Sequence, residues 1–202
     1  MPSTTFFDYP DSWYRASIEL LPTYHSLHGT VQTDVCVIGA GYTGLSAALH
    51  LAKSGKRVVV LDAARVGWGA SGRNGGHVGT GQRADQFALE KWYGKSTAKT
   101  LWQLSLDAVA LVESLVEEHA IDCEFGRGNI HFAAKPSHVR DLQDEMEHLA
   151  ATYDYHQLRG VEKSALESLG SACGFHYALV DDGARQDRKS TRLNSSHMSE
   201  SR

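Results

Sequence analysis

The chain has 202 residues, of which 42% are apolar and 22% charged, and a formal net charge of −4. This composition suits a globular protein able to bury a sizeable core, and the absence of a basic block argues against a nucleic-acid partner. Residues 1–20 are polar and aromatic without an apolar run, so neither a signal peptide nor a membrane span is expected there. Three scattered cysteines, Cys36, Cys123 and Cys173, read as reduced thiols of a cytoplasmic protein, with Cys36 expected as a small core residue.

Residues 1–30 are expected to form an arm. Pro2, Pro10 and Pro22 prevent a long helix, and Phe6, Phe7, Tyr9, Trp13 and Tyr14 offer aromatic packing. An apolar run at Val35-Cys36-Val37-Ile38 predicts a strand. Gly39-Ala40-Gly41-Tyr42-Thr43-Gly44 follows, and then a helix is expected from Leu45 to Ser54, stopped by Gly55. Val58-Val59-Val60-Leu61 predicts a second strand, which ends in Asp62.

Strand, glycine turn, helix, strand and acid make up the pattern of a dinucleotide-binding βαβ unit. Gly39 permits a tight turn, Gly41 leaves room for a pyrophosphate, and Gly44 allows close helix–strand packing. The helix start presents unpaired N–H groups and a partial positive charge to a phosphate. Asp62 is placed to accept adenosine ribose hydroxyls and to repel a 2′-phosphate.

Nicotinamide enzymes usually pass straight from such an acid into a crossover helix. Here Ala63-Ala64-Arg65-Val66-Gly67-Trp68-Gly69-Ala70-Ser71-Gly72-Arg73-Asn74-Gly75-Gly76 forms a long loop of small residues instead. Arg73 supplies a charged fork suited to phosphate, and Asn74 can donate and accept toward a ring edge or ribityl chain. A solvated linker would also be glycine-rich, but would leave Trp68, Arg73 and Asn74 without a role.

Residues 84–120 are helical in pattern. A first piece should end near Gly94, and a second, from Thr97, should carry Leu101, Leu104, Ala108, Leu111 and Leu115 on one face. Trp102, Leu106, Val109 and Val116 broaden that stripe, so burial on two sides is expected. Residues 121–134 turn extended, with Gly126 and Gly128 marking a turn between two short strands. Pro136 starts a helix to about Thr152, residues 162–169 form a shorter helical stretch, and 175–180 a strand. The histidines form no ligand set and no metal is expected. His25 and His28 read as surface residues, and His77 as a residue that could lie near a cofactor.

The segments 34–51 and 69–76 resemble the FAD-dependent oxidoreductases of the D-amino-acid oxidase-like (DAO) family, and within it the gamma-glutamylputrescine oxidoreductase branch. Trp13-Tyr14-Arg15-Ala16-Ser17 is similar to that branch's aromatic arm. Ile121-Asp122-Cys123-Glu124-Phe125 and Gly128-Asn129-Ile130-His131-Phe132-Ala133 are similar to its first substrate-domain strands.

The resemblance implies an α/β fold: a Rossmann-like FAD-binding βαβ unit followed by the start of an α+β substrate domain, truncated. The implied divisions are an arm at 1–30, an FAD-binding part at 31–120 and a partial substrate domain at 121–186. It implies FAD as cofactor and oxidation of a carbon–nitrogen bond in a small-molecule amine or amino acid, gamma-glutamylputrescine among them.

The expected cofactor-binding residues are Gly39, Ala40, Gly41, Tyr42, Thr43, Gly44, Asp62, Ala63, Arg65, Ala70, Ser71, Gly72, Arg73, Asn74, Gly75 and Gly76. No catalytic side chain can be named. A nicotinamide-dependent enzyme and a non-catalytic cofactor-binding fragment are the alternatives.

Asp187-Arg188-Lys189-Ser190-Thr191-Arg192-Leu193-Asn194-Ser195-Ser196-His197 resembles a translated sequencing adapter, so residues 187–202 are expected to be a non-native tail. The chain then reads as an N-terminal fragment, inactive by itself.

Overall fold

The structure is a computed structural model that describes residues 9, 11–16, 24–169 and 174–187. The chain divides into two compact units, Met1–Gly75 and Gly76–Arg202.

In the first unit a short helix α1 (Trp13–Ala16) precedes β1 (Val35–Ile38), α2 (Tyr42–Lys53), β2 (Val58–Leu61) and a 3₁₀ turn at Ala70–Gly72. β1 and β2 pair in parallel, with Val35 opposite Val58 and Ile38 opposite Leu61. At one end of the pair Arg57 Nη2 donates to Asp34 Oδ1 at 2.9 Å, and its backbone N–H donates to Asp34 Oδ2 at 2.9 Å. At the other end the Gly39 N–H donates to Leu61 O at 2.7 Å.

α2 begins at Tyr42, three residues before the expected start, because Gly41 already serves as its N-cap. Gly55, with φ +83°, follows its C-cap Ser54 as the pattern predicted. One expectation is corrected: Cys36 is exposed, not a core residue. Side chains alternate along a strand. α2 covers the face that carries Val37, whereas Cys36 and Ile38, the latter 78% exposed, lie on the other.

The second unit comprises β3 (His77–Val78), α3 (Gln86–Glu118), β4 (Phe125–Ala133), α4 (Pro136–Tyr153), β5 (Leu158–Glu162), a 3₁₀ segment (Lys163–Leu169) and β6 (Tyr177–Asp187). β6 is the axis of an antiparallel sheet. β4 runs along one of its edges, and the other edge is shared by β5 and β3. Alternate β6 residues serve two cores. Ala178 and Val180 pack with Val161 and Leu166, while Tyr177 and Leu179 pack with Ala133 and with Leu142 and Met146 of α4.

Three sequence expectations change here. Gly126 and Gly128 do not separate two strands. They lie inside the single strand β4, which absorbs an irregularity between Arg127 and Asn129 at Gly128, φ +93°. The last strand is longer than residues 175–180 and reaches Asp187, which pairs with Phe125. Of the expected tail, Asp187 alone falls among the described residues. Phe6, Phe7, the prolines of the arm, Cys173 and residues 188–202 lie outside them.

The third change concerns α3. Gly94 breaks it with φ 79° and ψ 158°, where the sequence placed the end of the first piece. Beyond the break, Ala98, Trp102, Ser105 and Val109 are buried, whereas Leu104 is 56% and Leu111 39% exposed. Trp102 decides the face: its ring packs edge-on against Tyr155 at 5.1 Å and tilts against Tyr153 at 5.7 Å. An indole buries more apolar area than a leucine, so it sets the helix rotation.

Candidate functional site

The site grows from the end of β1. Gly39 turns the chain with φ +102°, and Ala40, 3% exposed, is held on both sides of its peptide. Its N–H donates to Asp62 Oδ2 at 2.6 Å, and its carbonyl accepts the Gly67 N–H at 2.9 Å. Gly44 is required by contact: a Cβ there would lie 1.9 Å from the Gly39 carbonyl oxygen and 3.3 Å from Val37 Cγ1.

α2 opens with N–H groups that have no intrahelical acceptor. The first of them, from Tyr42, donates to Ser71 Oγ at 3.0 Å. The loop after β2 therefore folds back onto the start of α2. A Cβ on Gly41 would approach Ser71 Oγ to 3.0 Å, so a side chain here would fill the space between loop and helix.

The 3₁₀ turn Ala70–Gly72 holds the loop in this path. Gly72 passes so close to Gly67 that a Cβ would lie 2.2 Å from its carbonyl oxygen. Arg73 Nε donates to Gly69 O at 3.4 Å, and its guanidinium lies 4.9 Å from the Trp68 ring centre. Asn74 Nδ2 donates to Ala70 O, Ser71 O and the Tyr42 hydroxyl at 3.2, 3.0 and 3.2 Å. From the arm, the Tyr9 hydroxyl donates to Val66 O at 2.5 Å.

Asp62 does something the sequence did not disclose. Its two oxygens accept the N–H groups of Ala40 at 2.6 Å and Ala64 at 2.8 Å. These two bonds, the Ala40 one first, hold its carboxyl below the usual carboxylate value. A carboxylate oxygen has a second lone pair, so this anchoring leaves acceptor capacity for hydroxyl groups. Of the expected residues, 39–44, Asp62, Ala63, Arg65 and 70–75 share the first unit, and Gly76 opens the second.

In the second unit Asp181, 5% exposed, accepts from Thr80 Oγ1 at 2.7 Å, the Tyr155 hydroxyl at 2.5 Å and the Gly183 N–H at 2.9 Å. Burial, then the bond to Asp181, pushes the Tyr155 phenol up. Arg185 forks onto Glu113 at 3.1 and 3.2 Å. Thr80, Tyr155, Gly183, Glu113 and Arg185 border an open cleft of about 380 Å³ that also includes Leu106, Val109 and Arg127. Among the described residues, no group of three or more His, Cys, Asp and Glu side chains could hold a metal ion.

The fit of a dinucleotide rests on these observations: a glycine that a Cβ would fill, a helix start facing it, an anchored acid at the end of β2, and a cationic loop alongside. Comparison with known proteins agrees. The family model described as FAD dependent oxidoreductase (DAO) matches residues 34–194. The chain is 39% identical over 172 residues to "Probable oxidoreductase OrdL" of Rhizobium meliloti, covering 85% of this chain and 40% of that protein. It is 34% identical over 174 residues to gamma-glutamylputrescine oxidoreductase of Escherichia coli, covering 86% and 41%. Glycine oxidase from Geobacillus kaustophilus superposes with a TM-score of 0.64 at 23% identity, over 81% of this chain and 42% of that one.

The chain thus spans about two fifths of the length of these curated relatives. The matched span takes in both β strands, the glycine turn and the loop, and it sets aside the nicotinamide alternative. This chain belongs to the DAO family of FAD-dependent oxidoreductases.

Proposed function

We propose that the first unit holds the adenosine and pyrophosphate end of FAD, and that the protein to which the chain corresponds oxidises a carbon–nitrogen bond in a small amine or amino acid. The observation that carries this reading is the loop folded onto the start of α2 through Ser71. It turns a glycine turn and a distant loop into one cradle.

In this reading the N–H groups of Gly41, Thr43 and Gly44 face the pyrophosphate, and Asp62, already anchored through Ala40 and Ala64, turns its remaining lone pairs to the ribose. Ala63, Arg65 and residues 70–76 follow the cofactor toward its flavin end, with the Arg73 guanidinium near phosphate. The isoalloxazine, when bound, supplies the chemistry by accepting a hydride from the carbon beside nitrogen. The protein's task is to bind and orient the cofactor and to keep water from the reacting carbon.

Residues 31–120 form the cofactor part of this reading and 121–186 the beginning of a substrate part. Gamma-glutamylputrescine is the substrate to test first, because a relative named for it covers 86% of the chain. A cytoplasmic location belongs to the same proposal, supported by the odd number and scattered spacing of the three cysteines. By itself the chain should bind FAD weakly and not turn over amines, since the rest of a ring pocket has to come from further polypeptide.

The test is a flavin-fluorescence titration of the chain and of Gly41→Leu. The chain should quench FAD, and the variant, with a branched side chain between Ser71 and the helix start, should not. Equal quenching by both would place the cofactor elsewhere.

A further inference from the structure

The sequence points Asn74 at the cofactor, and in the structure its exposed side-chain amide also bonds to the loop itself. Two of the three acceptors around its Nδ2 are backbone carbonyls, those of Ala70 and Ser71. Carbonyls only accept, so the amide nitrogen has to face them. The third is the hydroxyl of Tyr42, the first residue of α2. Tyr42 is held by the loop twice: its ring by Asn74 at 3.2 Å, and its backbone N–H by Ser71 Oγ at 3.0 Å.

We propose that Asn74 is a positioning residue that locks the loop onto the start of α2 and so sets the pyrophosphate end of the site without touching the cofactor. The inference rests on the FAD reading above and deepens it. Ser71 Oγ occupies the first free N–H of α2, and Asn74 fixes the carbonyl of that same Ser71. Release of Asn74 lets the 3₁₀ turn swing away and takes Ser71 with it. The effect then falls on the phosphate end, although Asn74 follows Arg73 toward the end assigned to the flavin.

Two measurements test this on the whole chain, with Asn74→Ala and Tyr42→Phe. In the ligand-free protein, amide exchange of Tyr42 should accelerate in Asn74→Ala while the thermal midpoint stays put. In calorimetric titrations, Asn74→Ala should weaken FAD and ADP by the same factor, about fivefold for one lost hydrogen bond. Tyr42→Phe should weaken both less, and adding it to Asn74→Ala should cost nothing more.

Weakened FAD with unchanged ADP would overturn the proposal, because Asn74 would then contact the flavin half itself. Unchanged Tyr42 exchange would overturn it as well. Should the unsubstituted chain bind neither FAD nor ADP, the FAD reading fails, and the exchange experiment still decides whether Asn74 locks the loop.

Discussion

The carboxylate of Asp62 and the backbone N–H of Ala40 meet at 2.6 Å, joining the end of β2 to the glycine turn that leaves β1. The acid expected to serve a ligand thus also serves the fold. In the ligand-free chain it holds the turn in the shape a ligand would need, so part of the ordering cost is met before binding.

This anchoring predicts an acid dependence. The Asp62 carboxyl is held below its ordinary value by the Ala40 and Ala64 N–H groups. As pH falls, the unfolded chain therefore takes up the proton first. The stabilisation is complete above the ordinary carboxylate value and is lost as pH falls through the depressed one. Asp62→Asn should cost about 1 kcal/mol at neutral pH, low for bonds to a charged group because the side chain is largely exposed. It should also flatten the acid limb of the urea midpoint. Superimposable acid limbs for the two proteins would rule this out. Asp34, depressed by Arg57, titrates in the same direction and is the control.

Gly44 and Gly69 should respond oppositely to alanine. A Cβ at Gly44 meets the Gly39 carbonyl at 1.9 Å, and backbone cannot yield cheaply. A Cβ at Gly69 meets nothing within 4 Å, and its φ of −78° lies outside the left-handed region that favours glycine. Gly44→Ala should lose about 1–3 kcal/mol by urea denaturation, the range for overpacking. Gly69→Ala should stay within about 0.5 kcal/mol.

Arg185 is 10% exposed and forks onto Glu113, itself 29% exposed. Among the described residues, removal of the acid leaves a buried guanidinium with the carbonyls of Asp182, Gly183 and Ala184 as its hydrogen-bond acceptors. Glu113→Ala should destabilise by about 3 kcal/mol, the lower end for a broken buried pair. Glu113→Gln, which keeps one acceptor, should lose less. An undiminished stability of Glu113→Gln would mean that Glu113 acts through packing rather than charge.

The alkaline side has its own signature. Burial first, then the hydrogen bond to Glu90, pushes the Tyr153 phenol up to about 12. The unfolded chain ionises its tyrosine earlier, so the stability linked to Tyr153 is intact below the ordinary phenol value. It is lost as pH rises toward 12. Tyr153→Phe should make the thermal midpoint less sensitive to pH above about 10, as followed by calorimetry. An unchanged slope would place the alkaline transition elsewhere.

The βαβ unit was legible because each of its parts is local: an apolar run, a spaced set of glycines, a stop, and an acid. What Ser71, Asn74 and Asp62 bond to was not legible. Small polar residues choose partners according to the path of the loop, and that path is set by contacts such as Gly72 against Gly67. The register of α3 was misjudged because leucines outnumber indoles on the helix, while Tyr153 and Tyr155, which draw Trp102 inward, lie some fifty residues away in the chain.

β5 was missed for a related reason. Leu158-Arg159-Gly160-Val161-Glu162 has little strand character, and it is extended because β6 lies beside it. Even its glycine answers to a distant residue. A Cβ on Gly160 would lie 1.8 Å from the Tyr177 hydroxyl, so the strand stays open at the point where a buried phenol crosses it.

β3, β4 and β5 all pair with β6, and among the described residues none of the three pairs with another. Of these four strands, the one that follows the other three in the chain is thus the one on which they assemble. His77 and Gln186, whose side chains meet across that ladder, are 109 residues apart. At about 5–20 residues per second, a ribosome needs roughly 5–20 s to cover that distance. By the end of that interval the nascent chain carries all three segments, with the apolar side chains of Phe132, Ala133 and Val161, and no ladder for them to join. Holding chaperones would find their target in this stretch of synthesis, and a pause ahead of Tyr177 would lengthen it.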